Sequence, residues 1–421
     1  MAPLSVAGAV RVPGDKSISH RSLILACLAE GESRVAGILD SEDVRSTADA
    51  LRSLGGNVPE LSGEMRIRGL GLRGLRPPKR ALDCGNSGTT TRLLAGVVAG
   101  HPFAARFEGD ASLSRRPMRR IAEPLTYMGA QFDFERGDGL PMTVHGVDLR
   151  SIDWDTKSAS AQVKSAILLA GLVSQVEVRV TETSRSRDHT ERMLRSMGVD
   201  VENDRNQVCL RPARRLAPLD LAVPADPSSA AFFVALASLA SEGELQLDDV
   251  CLNATRIGFI SAIKRMGGDI RATARASEGG EETGTLTVRP ARLGNLRIAA
   301  AEVPSLIDEL PLLACVAAGA GVELEITGAA ELRVKESDRI SVVVQNLLAV
   351  GASAEELPDG LRVLPGPREF SGTVDPRGDH RIAMAFGVLS AVSGNRIEIL
   401  NPDCVAVSYP RFWEDLRRVA A

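Results

Sequence analysis

Five times along the chain an amphipathic helical pattern closes on an aliphatic residue and a glycine, then gives way to the alternation of a strand. The strings are L-R-S-L-G-G-N-V from Leu51, L-T-Y-M-G-A-Q-F from Leu125, L-R-S-M-G-V-D-V from Leu194, I-K-R-M-G-G-D-I from Ile263 and L-L-A-V-G-A-S-A from Leu347. Each glycine, at 55, 129, 198, 267 and 351, suits the position just past a helix end, where φ is positive and a Cβ would be strained. A sixth helical stretch, F-W-E-D-L-R-R-V from Phe412, runs out at the carboxyl end.

Upstream of each of these helix ends lies a small polar cluster that opens an Ala/Leu-rich helix: K-S-I-S-H-R at Lys16, N-S-G-T-T-T-R at Asn86, S-A-S-A-Q at Ser158, D-P-S-S at Asp226, I-D-E at Ile307 and G-D-H-R at Gly378. The period is about 70 residues, and six such units predict a pseudo-symmetric α/β molecule with six equivalent helix N-termini. Ser, Thr, Asp and Asn at such places commonly do no more than cap the helix. These clusters also carry Lys16, Arg21, Arg92, Asp308 and Arg381, and cations at helix starts oppose the macrodipole unless an anion joins them. The best boundary between halves is the proline-rich stretch near Pro224.

With 421 residues the chain exceeds one ordinary core, and 44% apolar with 25% charged residues is a soluble globular composition. Aromatics at 3% leave little with which to stack bases or sugars, and a net charge of −4 gives no general attraction to nucleic acid or an anionic membrane. Any anion site must therefore be local. Six cysteines show no metal-type spacing, and Cys27, Cys209, Cys251 and Cys315 sit inside apolar runs, which predicts buried, reduced thiols. No signal-like leader opens the sequence and no apolar stretch reaches bilayer length, so a cytoplasmic protein is expected, without metal or cofactor and as a monomer.

V-P-G-D-K-S-I-S-H-R reads as a strand end, a tight turn and a helix start that holds Lys16, Ser17 and Arg21 beside free N–H groups, an arrangement suited to an anion. It is not a phosphate loop of the G-x-x-x-x-G-K type, so ATP has little support. L-D-C-G-N-S-G-T-T-T-R puts Gly85, Asn86, Gly88, Thr89 and Arg92 in a loop that feeds a helix, and G-D-A-S-L-S-R-R-P-M ends in Arg115 and Arg116. In L-R-V-K-E-S-D-R, Lys335 and Arg339 stand four apart. On a helix they would share a face and repel, at about 0.2–0.5 kcal/mol, unless an anion lay between them.

Those strings, with S-A-Q and D-H-R-I-A-M, closely resemble EPSP synthases in order and spacing from residue 4 to residue 418. The resemblance implies two similar lobes, each of three βαβαββ-type units in an inside-out α/β barrel, closing on substrate. The upper lobe would span 13–224, and the lower lobe 1–12 with 225–421. It implies transfer of the enolpyruvyl group of phosphoenolpyruvate to the 5-hydroxyl of shikimate 3-phosphate, by addition and then elimination of phosphate. Shikimate 3-phosphate would meet Lys16, Ser17, Arg21, Ser160, Gln162, Ser186, Arg187, Asp308 and Lys335. Phosphoenolpyruvate would meet Lys16, Asn86, Gly88, Thr89, Arg92, Arg116, Gln162, Arg339, His380 and Arg381. Asp308 would accept the hydroxyl proton, Glu336 with Lys16 would deliver a proton to C3, and His380 would assist departure of phosphate.

Two features depart from the plant and enterobacterial pattern: Val407 stands at a position usually held by Lys, and S-R-D-H carries Arg187 as in a divergent bacterial branch often associated with glyphosate tolerance. Gly88 keeps the small residue of glyphosate-sensitive enzymes. Two rival readings are UDP-N-acetylglucosamine enolpyruvyl transferase, whose reactive loop Cys is missing from G-D-A-S-L-S-R-R-P-M, and a non-catalytic anion-binding or RNA-end-processing repeat protein, which would not require Asp308 and Glu336 beside the cations.

Overall fold

A computed structural model describes residues 4–420. It contains twelve α-helices among the described residues: α1 (Lys16–Leu28), α2 (Glu42–Ser53), α3 (Gly88–Ala99), α4 (Arg119–Met128), α5 (Ala161–Ser174), α6 (His189–Ser196), α7 (Pro227–Leu239), α8 (Gly258–Arg265), α9 (Leu310–Ala320), α10 (Arg339–Ala349), α11 (His380–Ala391) and α12 (Phe412–Val419). The five patterned glycines all follow even-numbered helices and all have positive φ, from 85° at Gly198 to 123° at Gly129.

The chain divides into two compact units. The first is Gly14–Val223 with Ser277–Glu281; the second is Met1–Pro13, Pro224–Ala276 and Glu282–Ala421.

In the first unit the plainest repeat starts at strand Ile152–Asp155. Helix α5 leads to the parallel strand Val178–Thr181, and α6 leads to the antiparallel hairpin Val201–Asp204 and Gln207–Leu210, completing βαβαββ. The repeat around α3 and α4 has the same plan, in the sheet of Leu82–Asp83, Ala104–Glu108, Met142–His145 and Gln131–Phe134. The repeat around α1 and α2 takes its parallel strand, Asp220–Ala222, from the far end of the unit, beside Glu32–Ala36.

The second unit repeats this arrangement. Its sheet of Leu296–Ile298, Leu324–Ile326, Gly360–Val363 and Ala354–Leu357 is a complete example. The repeat of α7 and α8 takes its opening strand, Ala9–Val10, from the start of the chain, parallel to Leu245–Cys251. The last repeat keeps only the parallel pair Ser371–Val374 and Arg396–Ile399 before α12.

Odd and even helices differ as their sequences do. The even helices are amphipathic, whereas α5, α7, α9 and α11 are buried along nearly their whole length. In the second unit α7, α9 and α11 pack on one another; in the first, α3 packs on α5 and on α1. An all-apolar helix can only live inside a core, so these helices fix the centre of each unit and leave the amphipathic ones outside it. Cys27, Cys84, Cys209, Cys251 and Cys315 are buried thiols, and Cys404 is half-buried. No described helix is long and apolar enough to cross a membrane.

Close helix contact depends on Gly96 of α3, where a Cβ would lie 2.3 Å from the Ala166 carbonyl oxygen of α5. On an open helix, Gly96→Ala would gain about 1 kcal/mol in propensity. Here it should cost about 1–3 kcal/mol through overpacking, read as a lower urea midpoint.

Candidate functional site

Most of the predicted site residues gather at the starts of odd-numbered helices, in two groups that belong to different units. In the first unit, Asp15 caps α1 by accepting from the Ile18 N–H at 2.9 Å. This leaves Lys16 at the first position, with Nζ 2.8 Å from Asp43 Oδ2. Arg21, one turn on, is buried: Nε donates to Thr190 of α6 at 2.7 Å, one terminal nitrogen to Ser165 of α5 at 2.8 Å, and the other to the Ser17 carbonyl at 2.9 Å. Arg21 thus ties three helix starts together.

Ser87 caps α3, so Gly88 is its first residue and Thr89 and Arg92 lie on its first turn and a half. Gln162 of α5 joins two of them, donating to the Thr89 hydroxyl at 3.0 Å and accepting from Arg92. Arg116 is buried and donates to Asn86, whose amide nitrogen donates to Asp110 at 2.6 Å. A Cβ on Gly88 would sit 3.0 Å from one Arg92 nitrogen and 3.4 Å from one of Arg116, so Asn86, Gly88, Thr89, Arg92, Arg116 and Gln162 form one cluster. Arg115 points away into solvent. Ser160 caps α5, accepting from the Val163 N–H at 3.4 Å. Ser186 is buried before α6, its hydroxyl donating to Glu182, and Arg187 beside it is half-buried.

In the second unit the centre is Arg339, the first residue of α10 and 1% exposed. Its guanidinium meets Asp379 at 2.8 Å, Glu336 at 2.6 Å and Asp308 at 3.2 Å. Burial works against its charge, but the three carboxylates together outweigh that and raise its pKa further above the ordinary arginine value. Asp308 also lies 3.5 Å from Lys335 Nζ and 3.9 Å from Arg381. Arg381 is 3.7 Å from Glu309, and His380 is buried at the start of α11. Val407 is half-buried at the end of the 3-10 turn Pro402–Val407.

Lys335 and Arg339 do not share a helical face: a 3-10 turn spans Ala330–Val334, residues 335–338 are irregular, and α10 begins only at Arg339. Asp338 caps α10 through the Ser341 N–H, and an N-cap takes non-helical backbone, so the helix cannot extend back to Lys335. What joins the two cations is Asp308, which lies close to both.

Sequence reasoning also left Asp43, Asp379 and Thr190 without roles. Asp379 was visible only as a cap in G-D-H-R; here it both caps α11 and holds Arg339. Nothing local marked Asp43 or Thr190, because their partners are distant along the chain.

Loss of hydration pulls the Lys335 pKa below the ordinary lysine value, with Asp308 opposing and Arg339 adding to the shift. A lysine with a lowered folded pKa binds fewer protons in the native state than in the unfolded chain between that value and about 10.4. Stability of the wild type relative to Lys335→Met should therefore rise with pH through that window, as measured by urea unfolding of both proteins from pH 7 to 10.5. The opposite slope would refute the burial effect.

Comparison with known proteins agrees with this architecture. The sequence model of the EPSP synthase (3-phosphoshikimate 1-carboxyvinyltransferase) family matches residues 2–416. A 3-phosphoshikimate 1-carboxyvinyltransferase of a Sulfurihydrogenibium species is 47% identical over 420 residues, 99% of this chain and 97% of that protein. One from Acidithiobacillus ferrooxidans is 49% identical over 409 residues, 97% of this chain and 94% of that protein. Among solved structures, EPSP synthase from Acinetobacter baumannii matches with a TM-score of 0.85 and 40% identity, over 99% of this chain and 96% of that one. The enolpyruvyl transferase NikO from Streptomyces tendae, at 17% identity and TM-score 0.77, shares the fold across 99% of this chain and 96% of its own.

Proposed function

Because this chain belongs to the EPSP synthase family, we propose that it transfers the 1-carboxyvinyl group of phosphoenolpyruvate to the 5-hydroxyl of shikimate 3-phosphate, releasing phosphate. Full-length relatives of that name support this over transfer to UDP-N-acetylglucosamine and over a non-catalytic anion-binding protein.

The observation that carries the reading is the company kept by the cations. Two substrates with two phosphates and two carboxylates between them call for several Arg and Lys, with Arg for bidentate grip. The first unit offers Lys16, Arg21, Arg92 and Arg116 at or beside helix starts, and the second offers Lys335, Arg339 and Arg381 around Asp308.

In this reading Lys16, Ser17, Arg21, Ser160, Gln162, Ser186 and Arg187, with Asp308 and Lys335, bind shikimate 3-phosphate. Asn86, Gly88, Thr89, Arg92 and Arg116, with Lys16, Gln162, Arg339, His380 and Arg381, bind phosphoenolpyruvate. In the addition step the 5-oxygen bonds to C2 and gives its proton to Asp308, while C3 gains a proton delivered by the Lys16 ammonium with Glu336. In the elimination step the bond from C2 to the phosphate oxygen breaks and C3 gives a proton back, which restores the double bond. Asp308 is suited to the first transfer because neighbouring cations fix its carboxylate while 12% of its side chain stays accessible. The protein acts in the cytoplasm and as a monomer.

Phosphate release from phosphoenolpyruvate should occur with shikimate 3-phosphate and not with UDP-N-acetylglucosamine. Asp308→Asn, which keeps shape and removes the base, should lower kcat by about 10²–10⁴-fold. Release with neither acceptor would overturn the proposal; full activity in the variant would remove Asp308 from its role.

A further inference from the structure

Both hydrogen-bond donors of Ser186 are directed at one buried carboxylate. Its hydroxyl donates to Glu182 Oε1 and its backbone N–H faces Oε2 at 3.4 Å. Glu182 is 3% exposed, and its Oε2 also meets Lys164 Nζ at 2.8 Å. Lys164, equally buried, lies 2.8 Å from Glu191 as well. Burial opposes the ammonium charge, but Glu191 and Glu182 together outweigh it and raise the lysine pKa. One ammonium therefore serves two carboxylates, and the trio carries a surplus negative charge.

A carboxylate can only accept hydrogen bonds, and so can a fully ionised phosphate, whereas a serine hydroxyl has one proton to give. The Ser186 hydroxyl cannot serve both at once. We propose that Glu182 is an affinity-tuning residue that occupies the donors of Ser186 while the site is empty and yields them to the 3-phosphate when shikimate 3-phosphate binds, a proposal that rests on Ser186 being a phosphate contact. Lys164 makes the exchange feasible, because Glu182 keeps an ammonium partner after Ser186 turns away. The surplus charge gives the exchange its sign: a negative carboxylate beside an incoming phosphate weakens binding, so Glu182 holds acceptor affinity below what the cations alone would provide.

The variant to make is Glu182→Gln, with Ser186→Ala and the double variant beside it, each titrated calorimetrically with shikimate 3-phosphate and assayed for the KM of phosphoenolpyruvate. Glu182→Gln should bind shikimate 3-phosphate about tenfold more tightly, with the KM of phosphoenolpyruvate unchanged. Ser186→Ala should bind it more weakly, and the Gln should tighten binding less in the Ser186→Ala background than in the wild type. A merely structural Glu182 would give weaker binding and a lower Tm. Unchanged or weaker binding in Glu182→Gln, with Ser186→Ala impaired, overturns the inference alone. An unimpaired Ser186→Ala removes the phosphate contact and the inference with it. If the Gln variant does not fold, Glu182→Ala leaves Lys164 matched one to one with Glu191 and must show the same tightening.

Discussion

A guanidinium with 1% of its surface in water must find its counter-charge inside the protein, and Arg339 finds it on three sides. Taking away one partner of such a buried pair leaves a charge without compensation, which typically costs about 3–5 kcal/mol. Asp379 is held in turn, as the cap of α11, and Asp308 lies at the entrance to α9. Through one arginine the starts of α9, α10 and α11 are locked into a single geometry. The catalytic carboxylates proposed for this unit, Asp308 and Glu336, are the same groups that neutralise it, so their positions are fixed before substrate arrives.

The first unit solves a similar problem with different chemistry. Arg21 is held by Thr190, Ser165 and the Ser17 carbonyl, and Arg92 by Gln162 and the Pro117 carbonyl. These neutral acceptors orient each guanidinium. The helix starts add their free N–H groups, an arrangement suited to an anion. The first unit pairs one cation with a carboxylate, Lys16 with Asp43, and the second gathers several carboxylates around Arg339.

This division was partly legible in the sequence. The glycine period followed from a backbone requirement, positive φ beyond a helix end, that few other residues meet, so local sequence carried it. The polar clusters gave most of the odd helix starts for the same reason, since capping is a contact within three residues, seen at α1, α3, α5, α7 and α11. What stayed hidden was tertiary. Arg115 and Arg116 are adjacent and chemically alike, yet one is exposed and the other buried against Asn86, thirty positions earlier in the chain. Lys335 and Arg339 stand at helical spacing, but the helix that would put them on one face starts only after the cap at Asp338. Glu182 and Lys164 bore no local sign of their pairing, because they lie 18 positions apart, one in a polar loop and one in an apolar helix.

Gly88 shows how the two kinds of information combine. Resemblance marks it as a small residue against the inhibitor-binding position, but the structure says what its smallness protects. The atoms that a Cβ would crowd are side-chain nitrogens of Arg92 and Arg116, not backbone. Both side chains are flexible enough to move by a few tenths of an ångström, so the fold would absorb an added methyl. The guanidiniums would not return to the same places, and a bidentate grip on an anion depends on position to within that distance. Gly88 is small because of these neighbouring side chains rather than its own backbone, which is why its φ is ordinary while those of the helix-end glycines are not.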